Sequence, residues 1–184
     1  MYAAGILPVT RFEDGKTLFL LGRDVRDGTW SDFGGKCERV DRNDATNTAT
    51  REFYEETLGC VVAPWGLRKR MVSGNCVSLR GETRNGHPYW MYVVEVPYIK
   101  DLDKTFAKLV AFLKYKNAAA DLVEKTEVRW FDLATMMSVP KRSAFKETVD
   151  RHAGTLTRIS TESWKSVCED CSSPETPRYG CSPH

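Results

Sequence analysis

The chain has 184 residues and a formal net charge of +2, with 41% hydrophobic and 28% charged residues. That length suits one domain with a sizeable core, and the composition is ordinary for a globular chain. So weak a charge excludes binding to bulk nucleic acid by charge alone, and no apolar run approaches the length of a bilayer span.

The opening segment, MYAAGILPVTRF, lacks the basic n-region and long apolar stretch of a signal peptide. We therefore expect an intracellular, cytoplasmic protein whose six cysteines are mostly reduced thiols.

In chain order, Ala3 to Phe12 and Thr17 to Arg23 read as a hairpin around Glu13-Asp14-Gly15-Lys16. Asp27-Gly28-Thr29-Trp30 is a turn leading to Phe33-Gly34-Gly35. A helix follows from about Asp44, a good N-cap, to Leu58, with Gly59 ending it. Phe53 and Ala49 fall on the side of this helix that should face the core. Arg68 to Arg80 and His87 to Val96 read as two strands joined at Asn85-Gly86, and Pro97 stops the second. Tyr89, Trp90 and Tyr92 on that strand read as core rather than as a stacking platform. Leu102 to Ala120 has helical periodicity and carries Lys104, Lys108, Lys114 and Lys116. Val128 to Phe131 returns to strand, and Ala144 to His152 reads as a final helix. No internal repeat is present. This order suits an α/β or α+β domain.

The chemistry is concentrated between Gly34 and Cys60. Glu52, Glu55 and Glu56 stand at i, i+3 and i+4, which places three acids on one helix face. Like charges that close destabilise an isolated helix, so something must compensate them. A hard divalent cation does so, because Mg²⁺ accepts carboxylate oxygens and keeps places for substrate phosphates. Gly34 and Gly35 supply a tight turn that can bring backbone carbonyls beside the acids. The competing reading is a solvated acidic helix face.

This segment resembles the Nudix box, whose pattern is G-x5-E-x7-R-E-U-x-E-E-x-G-U with U a bulky apolar residue. Gly35 is followed after five residues by Asp41 in place of the family's Glu, and nine residues rather than seven separate Asp41 from Arg51. Arg51, Glu52, Phe53, Tyr54, Glu55 and Glu56 match the central R-E-U-x-E-E, while the closing glycine, Gly59, comes one place late. The resemblance to the Nudix hydrolase family implies a Nudix-like α/β/α sandwich with a mixed β-sheet. Residues 1–159 would form the domain, with a helical insertion at about 101–121, and residues 160–184 would be a tail.

The resemblance further implies Mg²⁺- or Mn²⁺-dependent hydrolysis of a pyrophosphate bond. Its substrate would be a nucleotide-type small molecule, a nucleoside diphosphate linked to another moiety. Glu52, Glu55 and Glu56 would hold the metal together with the Gly34 carbonyl. Glu38 either meets the metal through the turn or merely flanks it. The catalytic base would be Glu52 or Glu127, the alternative for Glu127 being an ordinary strand-end acid. Arg51 would orient the helix acids. Arg23, Arg26, Arg68, Lys69 and Arg70 are candidates for holding phosphates, or else form a solvated basic face. Other members of the family act on capped RNA, as in mRNA decapping, or on diphosphoinositol polyphosphates. A catalytically silent Nudix-like binding module is a third class, and it would have no need of the acids. In the tail, Cys168, Cys171, Cys181 and His184 have the ligand count and paired spacing of a Zn²⁺ site. The alternative is a disordered tail with incidental thiols.

Overall fold

A computed structural model of the chain describes residues 1–118 and 122–171. Seven strands form one sheet: β1 (Ala3–Arg11), β2 (Thr17–Asp24), β3 (Trp30–Ser31), β4 (Phe33–Lys36), β5 (Val77–Glu82), β6 (Pro88–Glu95) and β7 (Lys125–Phe131). The central strand is β1. Along Ala3 to Val9 it pairs in parallel with β6. On its other edge it pairs antiparallel with β4 through Ala3 to Ile6, then with β2 through Val9 to Arg11. β2 in turn carries β7 and β3, so the mixed sheet forks at β1.

Alternation along the strands divides the core in two. Ala3, Leu7 and Val9 of β1 join Tyr89, Met91 and Val93 of β6 in one cluster. Ala4 and Ile6 join Trp90, Tyr92 and Val94 in the other. The first cluster is covered by α4 (Leu133–Ser138), α5 (Ser143–Arg151), α6 (Ala153–Thr161) and α7 (Trp164–Cys171). The second is covered by α1 (Ala45–Glu56), α2 (Pro64–Val72) and α3 (Leu102–Tyr115). The result is the expected α/β/α sandwich with a mixed sheet. No helix among the described residues is long and apolar enough to cross a membrane.

The hairpin, the helix following Asp44, and the strands at β6 and β7 lie where the sequence placed them. Three elements differ. The segment expected to be strand from Arg68 begins as helix α2, with Pro64 in its first turn and Leu67 and Met71 buried at an i, i+4 spacing. That is a helical period, and proline at the start of a helix loses no hydrogen bond. Helix α4 follows Asp132, whose side chain accepts from the Thr135 N–H at 2.7 Å and so caps it. The helix over Ala144 to His152 is not the last. The boundary expected at residue 159 falls inside α6, and Val167 and Cys168 of α7 enter the core.

Phe53 ties α1 to the sheet. It is fully buried and meets Phe33 of β4 edge-on, with ring centroids 5.4 Å apart. Phe53→Ala removes this contact and opens a cavity beneath the acidic turn. It is expected to cost about 3–5 kcal/mol of unfolding free energy, read from the shift in urea midpoint at constant m.

Candidate active site

The last turn of α1 is held against β4, and glycine makes this possible. A Cβ built on Gly35 would come within 2.5 Å of the Glu52 carboxyl group, so a side chain there would displace the acid. The Gly34 N–H donates to Glu56 Oε2 at 2.8 Å. The helix is aligned from its other end by Asp44, which accepts from the N–H groups of Thr46 and Asn47.

Arg51 gathers the charges around it. Its Nε and Nη2 donate to the two oxygens of Asp41 at 2.9 and 3.0 Å, while Nη1 stands 3.0 Å from both Glu52 Oε1 and Glu55 Oε2. It also donates to the Lys36 carbonyl at 3.0 Å, which locks α1 to the end of β4. Asp41 thus keeps the partnership despite the two extra residues of the box. The surplus is taken up by Arg42 and Asn43, which adopt left-handed conformations with φ of 54° and 59° between a 3-10 turn and the helix cap. Burial pushes the Asp41 carboxyl up, but Arg51, the Glu38 N–H and the Thr48 hydroxyl more than reverse this, leaving it below its ordinary value.

Burial raises Glu52 to about 7; Arg51 opposes the rise, and the like charges of Glu55 and Glu124 add to it. Glu56 is also held above the usual carboxylate range by burial, with Lys125 opposing. Lys125 is fully buried, 3.1 Å from Glu56 Oε1, and its ammonium donates to Ser31 Oγ at 2.9 Å. Both oxygens of Glu56 are therefore engaged, one by Gly34 and one by Lys125.

The remaining candidates separate into those the fold brings to this turn and those it does not. Glu55 is exposed at the surface of α1, and Glu38 lies 4.0 Å from Arg51 at the rim. Glu127 instead pairs with Arg129 and stands 3.9 Å from Arg23. Arg23 itself donates to the Gly28 carbonyl at 3.1 Å. Arg68 faces Asp44 at 3.8 Å. Glu124, immediately before β7, is the acid whose like charge acts on Glu52 and Glu56 and which borders a cavity with Glu55 and Glu56. Glu124 and Lys125 lie just upstream of Glu127, and the sequence carries no signal that would select them over it. Of the tail cysteines, Cys168 is buried in the core, while Cys181 and His184 lie outside the described residues.

Two cavities touch these elements. One of about 490 Å³ lies at Gly34, Gly35, Asp32, Tyr89 and Arg142 and includes none of the helix acids. The other, of about 480 Å³, is bordered by Glu55, Glu56 and Glu124. Among the described residues no three His, Cys, Asp or Glu side chains form a preformed metal cage. Arg51 pairs with Glu52 and Glu55, and Lys125 holds Glu56. The donors nevertheless suit a hard divalent cation, being all carboxylate oxygens whose mutual repulsion such an ion would relieve.

The overall structure is similar to several solved structures. A Nudix hydrolase of M. smegmatis, RenU, matches 87% of this chain with 88% of its own at 14% identity and a TM-score of 0.52. A protein of Listeria monocytogenes described as a Nudix hydrolase matches 89% of this chain with 99% of its own, at 14% identity and a TM-score of 0.53. The C-terminal domain of mouse MUTYH, solved with human PCNA, matches 90% of this chain with 95% of its own at 12% identity and a TM-score of 0.51. No protein-family model matches the chain, and no curated protein does. The chain has the Nudix fold.

Two outcomes follow from the buried charges. Lys125→Met leaves Glu56 buried without its cation and is expected to cost about 3–5 kcal/mol in denaturant unfolding at pH 8, with Lys125→Met/Glu56→Gln recovering part of the loss. Asp32 is raised to about 6 by burial, against the Tyr89 hydroxyl and Lys125, so it favours its protonated form when folded. Its contribution is full below its unfolded value near 3.8 and is lost as pH rises through about 6. The loss is on the order of 3 kcal/mol. Melting temperature should fall between about pH 4 and pH 6 in the wild type, and this fall should shrink in Asp32→Asn, which still accepts from Tyr89.

Proposed function

We propose that the protein is a divalent-cation-dependent hydrolase that cuts the pyrophosphate bond of a nucleoside diphosphate linked to another moiety. One observation carries this reading: Glu52, Glu55 and Glu56 leave one turn of α1 against the glycine strand β4, with Arg51 clamped to Asp41 behind them. A silent binding module would have no reason to keep three carboxyl groups crowded there.

Glu52, Glu55 and Glu124 would hold Mg²⁺ or Mn²⁺, with Glu56 completing the turn through Gly34 and Lys125. When bound, the cation neutralises phosphate oxygens and lowers the pKa of coordinated water. The water oxygen bonds to one phosphorus, that phosphorus separates from the bridging oxygen, and the second phosphate leaves with it. Glu52 takes the proton. Glu52 is chosen over Glu127 because Glu127 is occupied by two arginines. Arg51 acts as a positioning residue, fixing the Glu52 carboxyl group from the Asp41 side.

A panel of nucleotide sugars, dinucleotides, nucleoside triphosphates, diphosphoinositol polyphosphates and capped RNA, assayed with Mg²⁺ and with Mn²⁺, tests this reading. With whichever substrate is turned over, Glu52→Gln should lower kcat by about 10²–10⁴ with little change in KM, and Glu55→Gln should raise the metal concentration required. Near wild-type turnover in both variants would sink the assignment.

A further inference from the structure

The cavity at the acidic turn has two unlike ends. Glu55, Glu56 and Glu124 form one end, and most of the remaining wall is apolar. Leu109, Phe112 and Leu113 reach it from α3, and Leu122 reaches it from the approach to β7. Tyr54 and Leu58, at the end of α1, complete it.

Helix α3 already has a buried side, formed by Leu102, Phe106 and Val110. Leu109 and Leu113 continue along that side and are half-buried, while Phe112, at i+3 from Leu109, widens the apolar stripe toward the cavity. The stripe remains partly open, with Phe112 and Leu122 each 55% exposed. These residues close one side of the cavity. Its volume of about 480 Å³ is within the range of small-molecule sites.

We propose that this wall is a subsite for an apolar substituent on the diphosphate: the acidic end faces the cation-bound phosphates, and α3 receives a hydrocarbon group attached to them. The proposal rests on the reading of the acids given above and names the moiety that it leaves open. The wall favours hydrocarbon over a nucleobase or a sugar. Among its lining side chains the Tyr54 hydroxyl is the one neutral hydrogen-bonding group, so base edges or sugar hydroxyls buried there would lose partners. A hydrocarbon loses none, and each methylene it buries tightens binding by about fourfold.

The test compares the β-methyl and β-octyl esters of ADP. Binding to the full chain is followed by calorimetry with Ca²⁺, and hydrolysis is followed separately with Mg²⁺ or Mn²⁺. The octyl ester should bind at least about tenfold more tightly than the methyl ester. Phe112→Ala and Leu122→Ser, both at exposed sites, should remove most of that advantage while changing methyl ester binding less than twofold. Methyl and octyl esters bound within twofold of each other, or an octyl preference untouched by both variants, would overturn the subsite. Chain-length dependence in binding without hydrolysis of any diphosphate would uphold the subsite and reject the catalytic reading. Hydrolysis of both esters with equal KM and equal affinity would do the reverse.

Discussion

Everything near the candidate site depends on how the like charges at the end of α1 are neutralised. Glu52, Glu55 and Glu56 share one turn, and Glu124, just before β7, adds its like charge to Glu52 and Glu56. Such a cluster repels itself, and burial of Glu52 and Glu56 makes the repulsion harder to screen. The fold meets it with two cations of different kinds. Arg51, with its planar fork, binds Asp41 with two donors and reaches Glu52 and Glu55 with a third. Lys125 is a point charge buried against Glu56. The first holds buried Glu52 and exposed Glu55 with one nitrogen. The second makes Glu56 part of the scaffold.

The glycine strand and the acidic helix constrain each other. Gly35 has no side chain because the Glu52 carboxyl group occupies that space, and Gly34 packs so closely on Gly5 that an added Cβ would lie 2.5 Å from its Cα. The same closeness lets the Gly34 N–H reach Glu56. Backbone and carboxylate are thus brought together without a water layer, which is the setting in which charge and dipoles act most strongly. Phe33 and Phe53, both of the second core cluster, meet edge-on and tie α1 to β4.

The departures from the box pattern are absorbed locally. The two extra residues between Asp41 and Arg51 become a left-handed turn, and the Asp41 contact survives because the shorter acid is buried at the helix start. The late glycine leaves Leu58 at φ 52° before Gly59 at φ 66°, so the helix still ends with a left-handed turn. Leu58 then becomes useful in another way, as part of the apolar wall facing α3.

The sequence by itself determined the elements whose signals are local. The period-two strands β1, β2 and β6, the Asp44 cap, the acid triplet with Arg51, and the inward side of Ala49 and Phe53 were all legible, because spacing and capping act within a few residues. The start of α2 and the cap of α4 were also encoded locally, by Pro64 and Asp132, but a mixed run of apolar and basic residues concealed the helical period. Only the tertiary structure decided that Arg51 returns to Asp41 across an insertion, and that Glu124 borders one cavity with Glu55 and Glu56. It alone revealed that a buried lysine neutralises Glu56 and that α7 belongs to the core. Each of these depends on which strand lies beside which helix, and a side chain's partner across such a junction leaves no periodic trace in the chain.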